Sequence, residues 1–208
     1  ALGRALITDP QVLLLDERDV AALDALERLY RQAGEHRALL DILLQKIELC
    51  EERAARRRLR FEAASVAERG LGEPFEAVAL LRAVLEEDPD DDGALAALGE
   101  LYGGERSFIE QVEIIDRRAQ RAEAREERLA LAFRAAKIVE TEFGEPVQAV
   151  ERYRQILDID AAHPLTREAL EGLSRREETL MLATDVLSVV YRQEGRSDLL
   201  AALYERRL

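Results

Sequence analysis

The sequence lacks the residues on which disulfide frameworks and loop-rich folds depend. Of its 208 residues one is cysteine, none is tryptophan, five are proline and eleven are glycine. A single cysteine, Cys50, excludes an intrachain disulfide and a cysteine-based metal site. The rest of the chain is rich in alanine, leucine, glutamate and arginine, which are strong helix formers. We therefore predict an all-α protein with almost no strand.

Positive charge is also in deficit. Thirty lysines and arginines stand against 43 aspartates and glutamates, for a net charge of −13, which argues against a nucleic acid or an anionic membrane as the main partner. No apolar run reaches the roughly 18 residues that span a bilayer, and no segment resembles a signal peptide. We expect a cytoplasmic protein without membrane insertion. Because the chain begins at Ala1 rather than methionine, targeting signals of a longer protein can be missing from it.

One segment resembles the Walker B strand of ABC-transporter ATPases. Val12 to Leu15 lead into Asp16 and Glu17, which in such an enzyme would hold Mg²⁺ and polarise the attacking water. The chain has no G-x-x-x-x-G-K-[ST] loop to hold the phosphates. His36 and His163 stand far apart without a companion ligand, so neither a metal site nor a Ser/His/Asp triad is expected. We predict no enzyme activity, no catalytic residue and no cofactor.

An internal repeat of 72 residues dominates the sequence. When residues 59–88 are placed over residues 131–160, thirteen of the thirty pairs are identical, among them Phe61/Phe133, Gly72/Gly144, Pro74/Pro146 and Ala77/Ala149. The Walker-like segment belongs to the same repeat, because it matches residues 84–102 at the same interval. Apolar residues recur at spacings of three and four, which predicts amphipathic helices. Gly72 and Gly144 are placed to end a helix, and Pro74 and Pro146 to begin the next.

The repeat subdivides into units of 38 and 34 residues that resemble tetratricopeptide repeats. In one sub-repeat the pattern positions are Phe61, Ala64, Gly72, Ala77 and Pro89. The resemblance implies an α-solenoid of stacked antiparallel helix hairpins, forming a single array over residues 1–208. We expect its sub-repeats at about residues 20–55, 56–90, 91–126, 127–161 and 162–208, with a partial or irregular repeat at 1–19. Ala77 and Ala149 would mark close helix crossings.

Two charged segments resemble ion sites without completing one. Residues 88–100 nearly spell a calcium loop, but its twelfth position is Gly99 where a bidentate glutamate is required, so we interpret it as an acidic turn that caps a helix starting near Gly93. The basic run from Arg56 to Arg60 follows Glu52 at a spacing of four. That spacing favours a solvated, salt-bridged helix face.

The tetratricopeptide resemblance implies a non-catalytic scaffold whose protein or peptide partner lies on the concave face formed by the first helix of each hairpin. The carboxylate clamp of the best-known peptide readers in this family is absent. An alternative is a structural spacer or a self-assembling segment of a larger repeat protein, associating through the open ends of the array. The concave positions carried over from the family are Asp24, Arg28, Arg31, Glu62, Val66, Arg69, Glu100, Arg134, Ile138, Asp185 and Arg192. Arg69 and Arg134, beside Val66 and Ile138, are the predicted anchors for a segment with acidic and apolar residues.

Overall fold

The computed structural model describes residues 20–206. This part of the chain contains eleven α-helices and no strand, so the prediction of an all-α fold is confirmed. The Walker-like segment and the irregular repeat predicted at residues 1–19 lie outside the described residues. The helices are α1 (Val20–Ala33), α2 (His36–Leu49), α3 (Arg53–Ser65), α4 (Pro74–Glu87), α5 (Asp92–Gly104), α6 (Phe108–Arg121), α7 (Arg125–Thr141), α8 (Pro146–Ile159), α9 (Pro164–Leu173), α10 (Leu180–Gln193) and α11 (Ser197–Glu205).

The helix boundaries repeat with the sequence. Helices α1, α5 and α9 begin at Val20, Asp92 and Pro164, which are 72 residues apart. The same interval separates the starts of α2, α6 and α10, of α3, α7 and α11, and of α4 and α8. We call the odd-numbered helices first helices and the even-numbered ones second helices. The 72-residue period of the sequence is thus a period of the structure.

The helices pack into two compact units, with the division inside α5. Unit 1 ends at Ala97 and unit 2 begins at Leu98. In unit 1, α1 packs on α2, α2 on α3, and α3 on α4. In unit 2 each helix from α6 to α11 packs on the next, and α8 also packs on α10. Each unit is therefore built from stacked antiparallel hairpins.

Glycine and proline set the hairpin turns of both copies. Gly72 and Gly144 have φ values of 68° and 64°, in the left-handed region that glycine enters without steric cost. Pro74 and Pro146 then stand in the first turns of α4 and α8, where a missing N–H costs nothing. Both local predictions are confirmed. In the turn between α5 and α6 the residue in the left-handed region is not glycine but Arg106, with a φ of 57°.

Small residues lie where helices approach closely. Ala63 and Ala77 in unit 1 have no exposed surface, and neither have their equivalents Ala135 and Ala149 in unit 2. A larger side chain at such positions would force the helices apart. In unit 2, Ala135 and Ala149 belong to an apolar cluster that extends to Tyr153.

Two segments depart from the repeat. The C-terminal end of α3 continues as a π-helical turn, Val66–Leu71, whereas its equivalent in α7 stays α-helical to Thr141. Helix α9 has only ten residues and is followed by an irregular segment in which the Thr179 hydroxyl donates to the Leu173 carbonyl at 2.7 Å.

The acidic turn at residues 88–91 caps α5. The Asp91 carboxylate accepts the Ala94 N–H at 2.9 Å, and α5 begins at Asp92, close to the predicted Gly93. Asp91 is nearly buried and forms an ion pair with Arg57 from α3. The hydrogen bond from Arg57 is the main reason that the pKa of Asp91 lies below its ordinary value, against the opposing effect of burial.

The expectation that Arg56 of the basic run pairs with Glu52 was wrong. Its guanidinium contacts Glu87 on α4 at 2.7 and 2.9 Å rather than Glu52. Arg60 reaches the same carboxylate at 2.6 Å. The run therefore joins α3 to α4, because helices packed side by side bring charges together that are far apart in sequence. Among residues 20–206, no helix is both long and apolar enough to cross a bilayer.

Candidate partner-binding groove

One face of α3 and its π-helical continuation forms the floor of a groove in unit 1. Ala55, Leu59, Glu62, Val66 and Arg69 follow one another at spacings of four and three, which places them on one side of a helix. All five line depressions in the surface of unit 1. The floor is half-buried along Leu59, Glu62 and Val66.

Two depressions lie along this floor and share Glu62. The first, of about 580 Å³, is walled by Val20, Leu23 and Asp24 of α1 and by Lys46 and Leu49 of α2. Ala55 and Leu59 give its floor aliphatic surface, and Glu51, Glu52 and Arg58 also line it. Ligand pockets in proteins generally combine apolar lining with polar groups that fix the orientation of the ligand.

The second depression, of about 350 Å³, lies over the π-helical turn. Arg31, His36 and Leu39 face it from α1 and α2, and Val66 and Arg69 from the floor. Single π-helical turns are frequent at functional sites. This one accommodates Gly70, at which a Cβ atom would come within 2.8 Å of the His36 ring. The π turn and the histidine therefore fit together only because residue 70 has no side chain.

Most charges of the groove are already paired. Arg31 bridges Glu27 and Glu62, and the Lys46 ammonium lies 2.6 Å from both Asp24 and Glu27. Burial lowers the pKa of Lys46, but the hydrogen bonds to the two carboxylates outweigh it and the net direction is upward. Lys46 is therefore a fixed cation that holds α1 against α2.

Arg69 differs from these cations. Its side chain is 81% exposed, and its ion-pair contact is with Glu68 at 3.8 Å. An exposed pair at that distance contributes little. Arg69 is therefore a cation of the groove that a ligand carboxylate can engage at a low cost in broken contacts, as is the exposed Arg58 of the first depression.

The structure brings together five of the six groove residues predicted in unit 1. Asp24 and Glu62 line the first depression, and Arg31, Glu62, Val66 and Arg69 line the second. Arg28 is exposed on α1, outside the residues that line these two. Sequence reasoning missed Lys46 and His36, because both come from α2, a second helix that was not expected to contribute.

The residues predicted in unit 2 are more scattered. Glu100 and Arg134 form an ion pair of 2.8 Å between α5 and α7, and Ile138 packs against the apolar cluster. Asp185 and Arg192 lie on α10, which has the register of the second helices α2 and α6. The sequence match that placed them on a first helix was therefore out of register. The Arg192 guanidinium donates to the Tyr204 hydroxyl at 3.3 Å.

Charge at two of the predicted concave positions is reversed between the copies. Arg28 and Glu62 in unit 1 correspond to Glu100 and Arg134 in unit 2, 72 residues later. The two units therefore present different charge patterns to a ligand. Within residues 20–206, no group of three or more histidine, cysteine, aspartate or glutamate side chains could hold a metal ion.

The fold was also compared with known proteins. No protein-family model matches the sequence, and no curated protein matches it. Among solved structures, the chain is similar to the TPR-like repeats of a Podosopora anserina kinesin light chain, with 20% identity, a TM-score of 0.44, and coverage of 93% of this chain and 95% of that one. It is also similar to the MamA protein, with 11% identity, a TM-score of 0.45, and coverage of 89% and 88%. These similarities concern the helical repeat fold alone.

Proposed function

We propose that this protein is a non-catalytic interaction scaffold and that the groove along α3 in unit 1 binds a segment of a partner protein. The observation that carries the proposal is the pairing of an aliphatic depression with an exposed arginine on one helix face, at Leu59 and Arg69. Folds of this repeat type generally serve as protein-interaction scaffolds.

The groove favours a segment with an apolar anchor followed by an acidic side chain. Val20, Leu23 and Leu59 can cover an aliphatic or aromatic anchor in the larger depression, where removal of apolar surface from water drives binding. Further along the floor, Arg69 can pair with a carboxylate, which sets the direction of the segment. Lys46 and Arg31 contribute less, since binding to them would break existing ion pairs.

The test uses a fluorescently labelled peptide of leucine and glutamate arranged as an amphipathic segment. We expect saturable binding by fluorescence anisotropy, with Arg69→Glu weakening it at least about tenfold, or about 1.4 kcal/mol. Leu59→Ser should weaken it as well. Arg175→Glu is the matched control, because Arg175 is an exposed arginine of unit 2. Circular dichroism checks that each variant is folded.

The proposal fails if the acidic peptide does not bind, or if Arg175→Glu weakens binding as much as Arg69→Glu. Arg134→Glu tests whether the peptide binds to unit 2 instead of unit 1. Because Arg134 is paired with Glu100 in unit 2, its reversal should have a smaller effect than that of Arg69.

A second candidate is a self-assembling segment, favoured by exposed apolar residues on α10. Leu182 and Val189 are 44% and 52% exposed, and Val189 lines a depression of about 380 Å³ with Ile159 of α8. If this surface joins copies of the chain, light scattering should show concentration-dependent association that Val189→Glu abolishes. A monomer at all concentrations would exclude this role.

A further inference from the structure

The second residue of the second helices is an exposed apolar side chain in every hairpin of unit 2. Helices α6, α8 and α10 begin at Phe108, Pro146 and Leu180. Their second residues, Ile109, Val147 and Met181, are 66%, 46% and 51% exposed. Single exposed apolar residues are normal on a protein surface. The normal scatter of such residues does not explain why an exposed apolar side chain recurs at the same helix position in three successive hairpins.

In unit 1 one second helix continues the recurrence and the other does not. Helix α4 carries Phe75 there, 79% exposed, while α2 carries Arg37, which pairs with Glu73. Two pairs 72 residues apart keep a large apolar residue at this position while its type changes, from Phe75 to Val147 and from Ile109 to Met181. Packing does not require this, because the buried face of α6 is formed by Val112, Ile115 and Ala119.

The three second helices of unit 2 are neighbours. Arg152 of α8 makes a two-pronged ion pair with Asp116 of α6, with both contacts at 3.0 Å. Helix α8 packs on α10, and Ile159 and Val189 line one depression between them. Each of the three helices begins at the hairpin turn that precedes it, so they run in the same direction. Ile109, Val147 and Met181 therefore follow one another along a single edge, which we call the turn edge.

The turn edge is acidic. The hairpin turns and the helix starts beside the three apolar residues carry Glu105, Glu110, Glu142, Glu145, Glu177 and Glu178. The basic residues there are Arg106, Arg175 and Arg176. One acidic side chain at each helix start is expected from the helix dipole, but the edge has more than that. Arg176 is already paired with Glu140, and the Arg106 guanidinium lies over the Phe108 ring at 5.9 Å.

We propose that the turn edge of unit 2 is a second docking surface, and that it binds a basic amphipathic segment of a partner protein. Apolar side chains of the segment cover Ile109, Val147 and Met181, and its lysines or arginines lie among the glutamates of the turns. This partner has the opposite charge to the one proposed for the groove of unit 1. The net charge of −13 attracts such a segment over long range and disfavours an anionic membrane.

The experiment uses a labelled amphipathic peptide of leucine and lysine, with a second peptide in which every lysine is replaced by glutamate. We expect the basic peptide to bind saturably by fluorescence anisotropy. The triple variant Ile109→Ser, Val147→Ser, Met181→Ser should weaken binding at least tenfold, because it removes the apolar contacts and leaves the charge unchanged. The control is Leu165→Ser with Val189→Ser, which removes exposed apolar residues elsewhere in unit 2 and should change binding less than twofold.

Three results would overturn the proposal. The first is no saturable binding of the basic peptide, and the second is equal weakening by the control, which would mean unspecific attraction by charge. The third is a self-associated protein that becomes monomeric in the triple variant and binds no peptide, which would make a second copy the occupant. Arg69→Glu distinguishes this surface from the groove of unit 1, since it should weaken binding of the acidic peptide and leave binding of the basic peptide unchanged. Circular dichroism and urea unfolding check that the variants fold.

Discussion

Glu68 in unit 1 and Glu140 in unit 2 hold the same place in the 72-residue repeat but lie in opposite environments. Glu68 is exposed and near Arg69. Glu140 is 7% exposed and accepts hydrogen bonds from the Tyr153 hydroxyl at 2.9 Å and from Lys137 at 3.0 Å. The residue equivalent to Tyr153 in unit 1 is Leu81, which has no polar atom to offer. The two glutamates thus differ in the partner thirteen residues away, and in backbone as well, because Glu68 lies in the π-helical turn and Glu140 in an α-helix.

The cap of the following first helix differs in a similar way. Asp91 caps α5 and pairs with Arg57, whose guanidinium also lies 4.5 Å from the centre of the Phe61 ring. In unit 2 the equivalent of Asp91 is His163, which accepts the Thr166 N–H of α9 at 3.3 Å and lies 5.8 Å from the Phe133 ring. One copy has an ion pair at the cap where the other has a contact between two aromatic rings. The repeat thus preserves the position of a cap and changes its chemistry.

The largest effect is expected where the two copies are alike. Ala77→Leu and Ala149→Leu each place a larger side chain at a site with no exposed surface, and each should cost about 1–3 kcal/mol or more. Urea unfolding followed by circular dichroism measures both. Ala124→Leu, at an exposed site between α6 and α7, is the control with little expected change. A cost at Ala124 equal to the other two would contradict the shared register.

The next effect sharpens the contrast between the two glutamates. Glu140→Ala leaves the buried Tyr153 hydroxyl without its acceptor and should cost about 1–3 kcal/mol. Glu68→Ala, the matched substitution in unit 1, should stay within about 0.5 kcal/mol. If urea unfolding showed the same loss of unfolding free energy for both variants, the buried contacts of Glu140 would contribute no more to stability than the exposed Glu68 does.

A smaller difference is expected between the caps. Asp91→Ala removes both a cap and the partner of Arg57, and should cost about 1–2 kcal/mol. His163→Ala should cost less, because the hydrogen bond of the His163 ring to the Thr166 N–H is 3.3 Å long, against 2.9 Å for that of Asp91 to the Ala94 N–H. Hydrogen exchange of the first turns of α5 and α9 measures each cap locally. If His163→Ala reduced protection in α9 more than Asp91→Ala reduces it in α5, the expected order of the two caps would be wrong.

The smallest effect is a pH dependence at Glu87 in unit 1, because its ion pairs with Arg56 and Arg60 are partly exposed and weakened by solvent screening. Hydrogen bonds from Arg56 and then Arg60 lower the pKa of Glu87 from 4.5 to about 2, whereas the equivalent residue in unit 2 is Ile159. Since the folded pKa is depressed, the unfolded chain binds more protons, and stability rises with pH. The contribution is present above pH 4.5 and is lost as the pH falls towards about 2.

Glu87→Gln tests this dependence. The difference in unfolding free energy between the parent protein and the variant should shrink as the pH is lowered through that window. Urea unfolding at several pH values measures it, with Glu86→Gln, an exposed neighbour, as control. A difference that does not change with pH would show that the ion pair makes no contribution through the charge of Glu87.

Several features could be predicted from the sequence because they depend on a few adjacent residues. Gly72 and Pro74 set one hairpin turn through their own backbone restrictions, and the buried Ala77 was found from the 72-residue match. The face of α3 that carries Glu62, Val66 and Arg69 follows from helical spacing. The register of α10 was missed, because a short local match around Tyr191 competed with the longer period.

What the sequence by itself determined is the all-α fold, the 72-residue period and the positions of the turns, since backbone preference and apolar spacing act along the chain. The tertiary structure decided which charges meet. Arg56 pairs with Glu87 instead of Glu52, Glu140 is buried while Glu68 is not, and the end of α3 becomes a π-helical turn beside His36. These outcomes depend on the distance between side chains of different helices, and that distance is fixed only when the helices pack.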